Sequence, residues 1–387
     1  MKRRKIAILT GTRAEYGILT SVMDAIRKHP RMDYSLIVTG MHLSHEYGYT
    51  LREIEKDGYR IGAKVDMLVS GSTGAAMAKT LGMGIIGMAQ ALDQIRPDIL
   101  LILGDRGEPL AGAIAAAHMN IPVAHMHGGE VSGTIDESIR HAITRFAHIH
   151  FPATRKSVER LIKMGEDPKR IFLVGSAGVD AIRNKSLSSK KKIAQHFGFN
   201  PGQPILLAIQ HPVTTEITEA SQNMKAFVDA LIALDQQTVF IYPNSDAGNK
   251  EMVEVMRREV DRLAAWPRAR VFKSLPHELY LGTMRHAAVM IGNSSSGLIE
   301  APSLRIPYIL VGTRQNGRER SSNVKEIEYN STKIIRAAKA AITQKTNGKS
   351  YDNPYDPYGD GRAGERIAQT LSCIRIDKNL IQKKLAY

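Results

Sequence analysis

The chain reads as an α/β protein of two doubly wound, Rossmann-like domains facing a central cleft. Three observations lead there. Its 387 residues exceed one ordinary core and suit two domains. Short apolar runs alternate with amphipathic stretches almost throughout, as in repeated strand–helix units of a parallel sheet. The residues that close nearly every predicted strand are polar or glycine, which is what a ligand-binding sheet edge requires.

The first half holds the predicted strands KIAILTG, YSLIVTG, DILLILGD, PVAHMHG, HIHFPAT and IFLVGSAG, with helical patterns over 74–95, 107–119 and 136–147. Residues 183–203, RNKSLSSKKKIAQHFGFNPGQ, are polar, basic and poor in periodic apolar positions, so they read as an interdomain connection. PILLAIQH, TVFIYPN, RVFKSL, VMIGNSS and PYILVGT then begin a second alternation. Residues 351–364, rich in Pro, Gly, Asp and Tyr, read as an irregular loop. The expected division is therefore an N-terminal domain over 1–182, a linker over 183–203, a second domain over 204–365, and a C-terminal helix over 366–387 that packs back on the body.

Composition narrows the functional classes. A single cysteine, Cys373, excludes an intramolecular disulfide and a thiolate zinc cluster, and fits a reducing cytoplasm. The start MKRRKIAILTGTR has basic residues before apolar ones, yet its apolar run IAIL is too short for a signal peptide. No stretch reads as a membrane span. The net charge of +15 raises nucleic acid as a partner. However, the basic residues are scattered and aromatics total 6%, poor for base stacking. A polyanionic small substrate such as a nucleotide uses the same positive field over less surface.

Three strand ends carry binding chemistry. In GTRAEYG, Gly11 lets the backbone approach a ligand and Arg13 offers a fork of donors to a diphosphate. In GNSSSGLIEAPSL, Ser294, Ser295 and Ser296 lie where a helix begins, and three serines between two glycines exceed what capping requires. Glu300 follows one helical turn after Ser296, placed to accept from ribose hydroxyls. His211 ends PILLAIQH immediately before a proline, facing the same edge. By contrast GMGIIG, residues 82–87, matches a dinucleotide-binding pattern but follows a helical sequence, so its glycines read as helix-packing positions.

The stretch HMHGGEVSGTIDESIRHAITRFAHIHF, residues 125–151, holds five of the thirteen histidines. His125 and His127 share one strand face, but strand histidines more often satisfy local hydrogen bonds than hold zinc, and no metal is expected. Its carboxylates read as the chemical core. Asp105 and Glu130 follow buried-looking strands at the ligand edge, and clustered carboxylates can divide into acid and base near neutral pH. Asp136 and Glu137 open the next helix, where Thr134 and Glu137 also fit a capping box.

Taken together, GTRAEYG, GDRGE, HMHGGEVSGTIDESIRHAITRFAHIHF, the histidine before Pro212, YPNSD and GNSSSGLIEAP resemble the hydrolysing UDP-N-acetylglucosamine 2-epimerases of sialic and related nonulosonic acid synthesis. The resemblance runs from about residue 5 to 320 in unbroken motif order. It implies a GT-B-like fold, a nucleotide-sugar substrate, a homodimer, and no metal or nicotinamide cofactor. The implied reaction removes the C2 proton, expels UDP to leave a glycal, and adds water at C1, releasing N-acetylmannosamine. Carried over by position, Asp105, Glu130, Asp136 and Glu137 take the acid–base roles. Arg13, His211, Asn244, Ser294, Ser295, Ser296 and Glu300 become UDP contacts, with Tyr280 beside the uracil. A diacetamido-trideoxy sugar on UDP or GDP, or a GT-B glycosyltransferase, are the alternatives.

Overall fold

The computed structural model describes residues 3–71, 73–132, 135–184, 187–211, 213, 216, 219–241, 250–345 and 350–386. The chain divides into two compact units, one of Met1–Val131, Ile135–Arg183 and Tyr355–Tyr387, the other of Ser132–Thr134 and Asn184–Pro354.

The first unit runs β1 (Arg4–Thr10), α1 (Arg13–Lys28), β2 (Met32–Thr39), α2 (Leu51–Lys56), β3 (Ile61–Val65), α3 (Gly74–Ile95), β4 (Ile99–Leu103), α4 (Gly107–His118), β5 (Val123–Met126), α5 (Ile135–Phe146), β6 (Ile149–Phe151), α6 (Arg155–Lys163) and α7 (Ala177–Asn184). Its strands are all parallel, in the order β3-β2-β1-β4-β5-β6. Helices cover both faces, so the central strands are apolar on both sides and β4 is buried at every position. Successive β1 residues serve opposite layers. Ile6 and Ile8 join the cluster with α1, while Ala7 and Leu9 join the one with α3 and α4.

The second unit runs α8 (Lys190–Phe197), β7 (Ile205–Ile209), α9 (Ala220–Leu234), β8 (Gln237–Ile241), α10 (Lys250–Ala264), β9 (Ala269–Phe272), α11 (His277–His286), β10 (Val289–Gly292), α12 (Ser296–Ile299), β11 (Tyr308–Val311), β12 (Val324–Ile327) and α13 (Ser331–Lys345). Its order is β12-β11-β10-β7-β8-β9, again parallel and the same doubly wound pattern. Each sheet reverses direction at its first strand, between β1 and β4 and between β7 and β10.

The chain then returns to the first unit with α14 (Ala363–Cys373) and α15 (Lys378–Ile381). Ile367, Ala368 and Leu371 enter the β1–α1 core, and Gly364 packs so tightly that a Cβ there would meet the Ser21 carbonyl oxygen at 2.8 Å. Further on, Lys383 donates to the carbonyls of Thr144, Arg145 and Ala147 at the end of α5, at 2.8, 3.2 and 2.8 Å. Its ammonium also meets buried Glu166 at 2.6 Å, which in turn lies 3.0 Å from His150. The last segment thus caps α5 with a cation at the carboxyl end of its dipole.

Four expectations change. Residues 187–203 are not a free connection: α8 buries Ile193, Ala194 and Phe197 in the second unit, where Phe197 meets Phe199 and Phe272. The unit boundary falls before Tyr355 rather than after 365. IFLVGSAG forms one bridge, His150 to Ile171, because β6 has three residues and Pro152 has no N–H with which to extend the ladder. Lastly, α3 is long and apolar enough to cross a membrane by length and composition, which a scan for an unbroken apolar run misses because Lys79, Thr80 and Gln90 interrupt it. Within the unit it serves as a packing helix. A Cβ on Gly84 would meet Met67 at 2.6 Å and Ala111 at 3.1 Å, and one on Gly87 would meet Val65 at 2.5 Å.

Four buried histidines make the first unit sensitive to acid. Burial pushes His42 and His148 down to about 4 and His125 to about 3, and lowers His150 as well. The unfolded chain recovers the ordinary 6.5 and binds these protons first, so stability falls as pH drops from about 6.5 toward 4. Glu15, raised to about 7 by burial and then by Glu108, and Asp180, raised to about 6 chiefly by burial, act in the opposite sense. They offset part of the loss only above their ordinary values of 4.5 and 3.8. The urea midpoint should therefore fall as pH drops from about 6.5 toward 4, more gently above about 4.5, where Glu15 and Asp180 offset part of the loss. A constant midpoint down to pH 4 would contradict the burial of neutral imidazoles.

Candidate active site

In the first unit, the loops after β4 and β5 are drawn together by one side chain. Arg140 projects from α5 and is 1% exposed. Its guanidinium pairs with the Asp105 carboxylate and donates to the Glu130 carbonyl at 3.0 Å. A rigid planar fork can hold two acceptors at fixed angles, which a lysine cannot. Asp105 remains 22% exposed at its side chain, whereas Glu130 is buried. The Glu130 carboxylate lies 3.2 Å from Nδ1 of His127, itself at φ +63°.

The supporting contacts explain several residues of the histidine-rich stretch. His125 Nε2 and the Gly104 carbonyl oxygen lie 2.7 Å apart, which fixes the turn into Asp105. Gly104 itself has φ +82° and donates to the Met126 carbonyl. Arg160 donates to the Gly129 carbonyl at 2.9 Å, and a Cβ on Gly129 would meet the Ser157 carbonyl oxygen at 2.4 Å. Asp136 lies one helical turn before Arg140 on α5, and Glu137 lies 3.5 Å from His141. Among the described residues, no group of three His, Cys, Asp or Glu side chains is arranged to hold a metal ion.

The switch point between β1 and β4 is occupied by the protein's own charge. Glu15 accepts from the amides of Gly11 and Thr12 at 2.9 and 3.2 Å, closing a capping box with Thr12. Two of the amide donors ahead of α1 are therefore taken. Buried Glu108 fills the space above Gly11 and Gly40, where an added Cβ would come within 2.8 and 2.6 Å of it. Arg13, expected to reach a diphosphate, pairs with Glu53 at 2.6 Å.

In the second unit, Asn293 ties the two strands of the switch point together. It accepts from the His211 amide at 2.7 Å and donates to the His211 carbonyl at 2.8 Å. Gln315 and Arg314 donate to the Asn293 carbonyl at 2.8 and 3.3 Å. The glycines that flank the three serines are sterically required. A Cβ on Gly292, at φ +134°, would lie 1.8 Å from the Ile209 carbonyl oxygen, and one on Gly297 would strike the Tyr308 ring. Tyr308 donates to the Gly292 and Ser294 carbonyls, both at 2.9 Å, holding the turn from beneath. Tyr280, Ser296 and Glu300 meet there. Burial raises the Tyr280 hydroxyl, the Glu300 charge raises it further, and the Ser296 hydroxyl offsets part of the rise. His211 and Gln210 line a small recess with Glu216 and Tyr329.

The structure thus assembles Asp105 with Glu130 in one unit, and Tyr280 with Ser296 and Glu300 in the other. Asn244 and Thr134 lie outside the described residues. Sequence reasoning missed Arg140, whose signal is its place four residues after Asp136 on an acidic helix start, and Asn293, which follows Gly292 directly. It also missed Glu15 and Glu108, visible only as ordinary helix-start carboxylates.

Comparison with known proteins decides the family. Residues 24–372 match the model of the family described as UDP-N-acetylglucosamine 2-epimerase. The chain belongs to that family. A Legionella pneumophila relative, UDP-N,N'-diacetylbacillosamine 2-epimerase (hydrolyzing), is 39% identical over 99% of this chain and 100% of its own length. A Neisseria meningitidis UDP-N-acetylglucosamine 2-epimerase is 35% identical over 95% of each chain. Among solved structures, Methanocaldococcus jannaschii UDP-GlcNAc 2-epimerase in complex with UDP-GlcNAc and UDP superposes with a TM-score of 0.78 at 21% identity, over 95% of this chain and 99% of that one. The GT-B-like fold of two Rossmann-like units is accordingly that of the 2-epimerase family.

In this 2-epimerase, replacing Arg140 by Met should leave Asp105 and the Glu130 carbonyl without their partner. The expected cost is about 3–5 kcal/mol, measured as the shift of the urea transition. Replacement by Lys should restore charge but not the fork, recovering less than half of the loss. Two variants as stable as the parent would show that the fork holds nothing together.

Proposed function

We propose that the chain is a hydrolysing 2-epimerase that converts UDP-N-acetylglucosamine and water to N-acetylmannosamine and UDP. The observation that carries this reading is the pairing of Asp105 and Glu130 through Arg140 at the carboxyl edge of a Rossmann-like sheet. One carboxylate takes the C2 proton, and the electron pair forms the C1–C2 double bond as the C1–O bond to UDP breaks. Water then adds its oxygen at C1 while a proton returns to C2 from the opposite face. Asp105, Glu130, Asp136 and Glu137 supply these proton transfers. Ser294, Ser295, Ser296, His211, Tyr280, Glu300, Asn244 and Arg13 bind the UDP moiety. The second unit is assigned the anion because three serines follow its switch-point strand, whereas the Gly11 and Thr12 amides ahead of α1 are already taken by Glu15. The exposed thiol of Cys373 accords with a reducing cytoplasm.

The 39% identity to a diacetylbacillosamine enzyme favours a second reading, in which the sugar carries two acetamido groups. Product analysis by NMR in deuterated water, with a panel of UDP- and GDP-sugars, tests both. Donor alone should yield UDP and a free 2-epimerised sugar with deuterium at C2. A stable UDP-linked product, a requirement for an acceptor, or unlabelled C2 would each defeat the reading. Asp105→Asn and Glu130→Gln should each lower kcat by about 100-fold or more while UDP binding persists.

We also propose a homodimer. The α3 helix exposes Met83 and Ile86 at 49% and 57%, an apolar face that a second copy would cover. Ile86→Glu should convert a dimer to a monomer in sedimentation velocity, and a parent chain that sediments as a monomer removes the proposal.

A further inference from the structure

His127 combines three features that local structure alone does not require. It follows β5 with φ +63°, a conformation that histidine visits less readily than glycine, although the next two residues are glycines. Its side chain is buried, with Nδ1 3.2 Å from the Glu130 carboxylate. Its Nε2 is also buried and has no hydrogen-bond partner in the protein, which is a costly state for an imidazole nitrogen. A glycine here would adopt the same turn without strain. The chain instead keeps a ring whose one directed contact is a carboxylate.

We propose that His127 is a positioning residue for Glu130: Nδ1 fixes the carboxylate for proton transfer, and the strained turn after β5 exists to aim it. The inference rests on the acid–base role given to Glu130 above. The charged and titratable groups around the pair are consistent with an orienting role. Arg140 holds the Glu130 carbonyl and Arg160 the Gly129 carbonyl, so the loop backbone is fixed at two successive residues, while His125 is committed to Gly104. His127 adds a contact to the carboxylate itself, Nδ1 to Oε1 at 3.2 Å. The approach is within reach but poorly aligned for a hydrogen bond, as catalytic contacts often are before a substrate completes the site. With a proton on Nδ1, the buried Nε2 keeps a lone pair with which to accept from a water or substrate hydroxyl.

The test uses the full chain and four variants assayed for UDP release, with melting temperature measured alongside. His127→Gly relieves the backbone and deletes the ring. It should lower kcat by about 100-fold with KM within about threefold and an unreduced melting temperature. His127→Asn places an amide near the position of Nδ1 and tolerates a left-handed backbone. It should recover at least about tenfold of that loss. Adding His127→Gly to Glu130→Gln should cost nothing beyond Glu130→Gln alone. The proposal falls if His127→Gly keeps kcat within about threefold of the parent, if Asn recovers nothing over Gly, or if the double variant is additive. An active Glu130→Gln would remove the role of Glu130 and the proposal with it. An inactive Glu130→Gln beside a fully active His127→Gly would remove the proposal alone.

Discussion

The buried guanidinium of Arg140 is the interaction on which the first unit's site depends. A sheet edge brings loops near one another but does not set their side chains, because each loop has its own freedom. Arg140 removes that freedom by holding the Asp105 side chain and the Glu130 backbone with one rigid group. A cation at 1% exposure is tolerable only because both acceptors are present and well placed. The arrangement ties α5, β4 and β5 into one body, so a change in any of them is felt by the carboxylates.

The two units use one topology in opposite ways. Both place glycine at the turn after a switch-point strand, and both present polar groups there. In the first unit the turn after β1 is closed by its own Glu15 and by Glu108 packed over Gly11, so it behaves as a filled, rigid corner. In the second, Asn293 and Tyr308 support the backbone of the turn through its carbonyls and the His211 amide. The distinction lies in which side chains fill the nest, and fold alone does not determine it.

Much of this was legible from residue order. Buried parallel strands announce themselves by continuous apolar runs, as ILLIL in β4 does, and helix α3 emerged with the limits its periodicity suggested. Edge strands did not: β12, VKEI, is half solvated, and its pattern is too weak to separate from a loop. Asp105 and Glu130 were visible because the sheet-edge rule needs only the position of a residue after its strand. Arg140 and Asn293 were not, since their roles are contacts across 35 and 82 positions that no local pattern encodes. The pairing of Arg13 was hidden for the same reason, because its partner Glu53 sits on a different helix.

The return of the chain to the first unit has a consequence for biosynthesis. Residues 184–354 form the second unit before Ile367 and Leu371 can enter the first unit's core and before Lys383 can cap α5. The core of the first unit is therefore completed only after the second unit has been synthesised. It must wait, incomplete, while the whole second unit is made. A chain released a few residues early would carry an intact second unit and an α5 whose final carbonyls lack their cation.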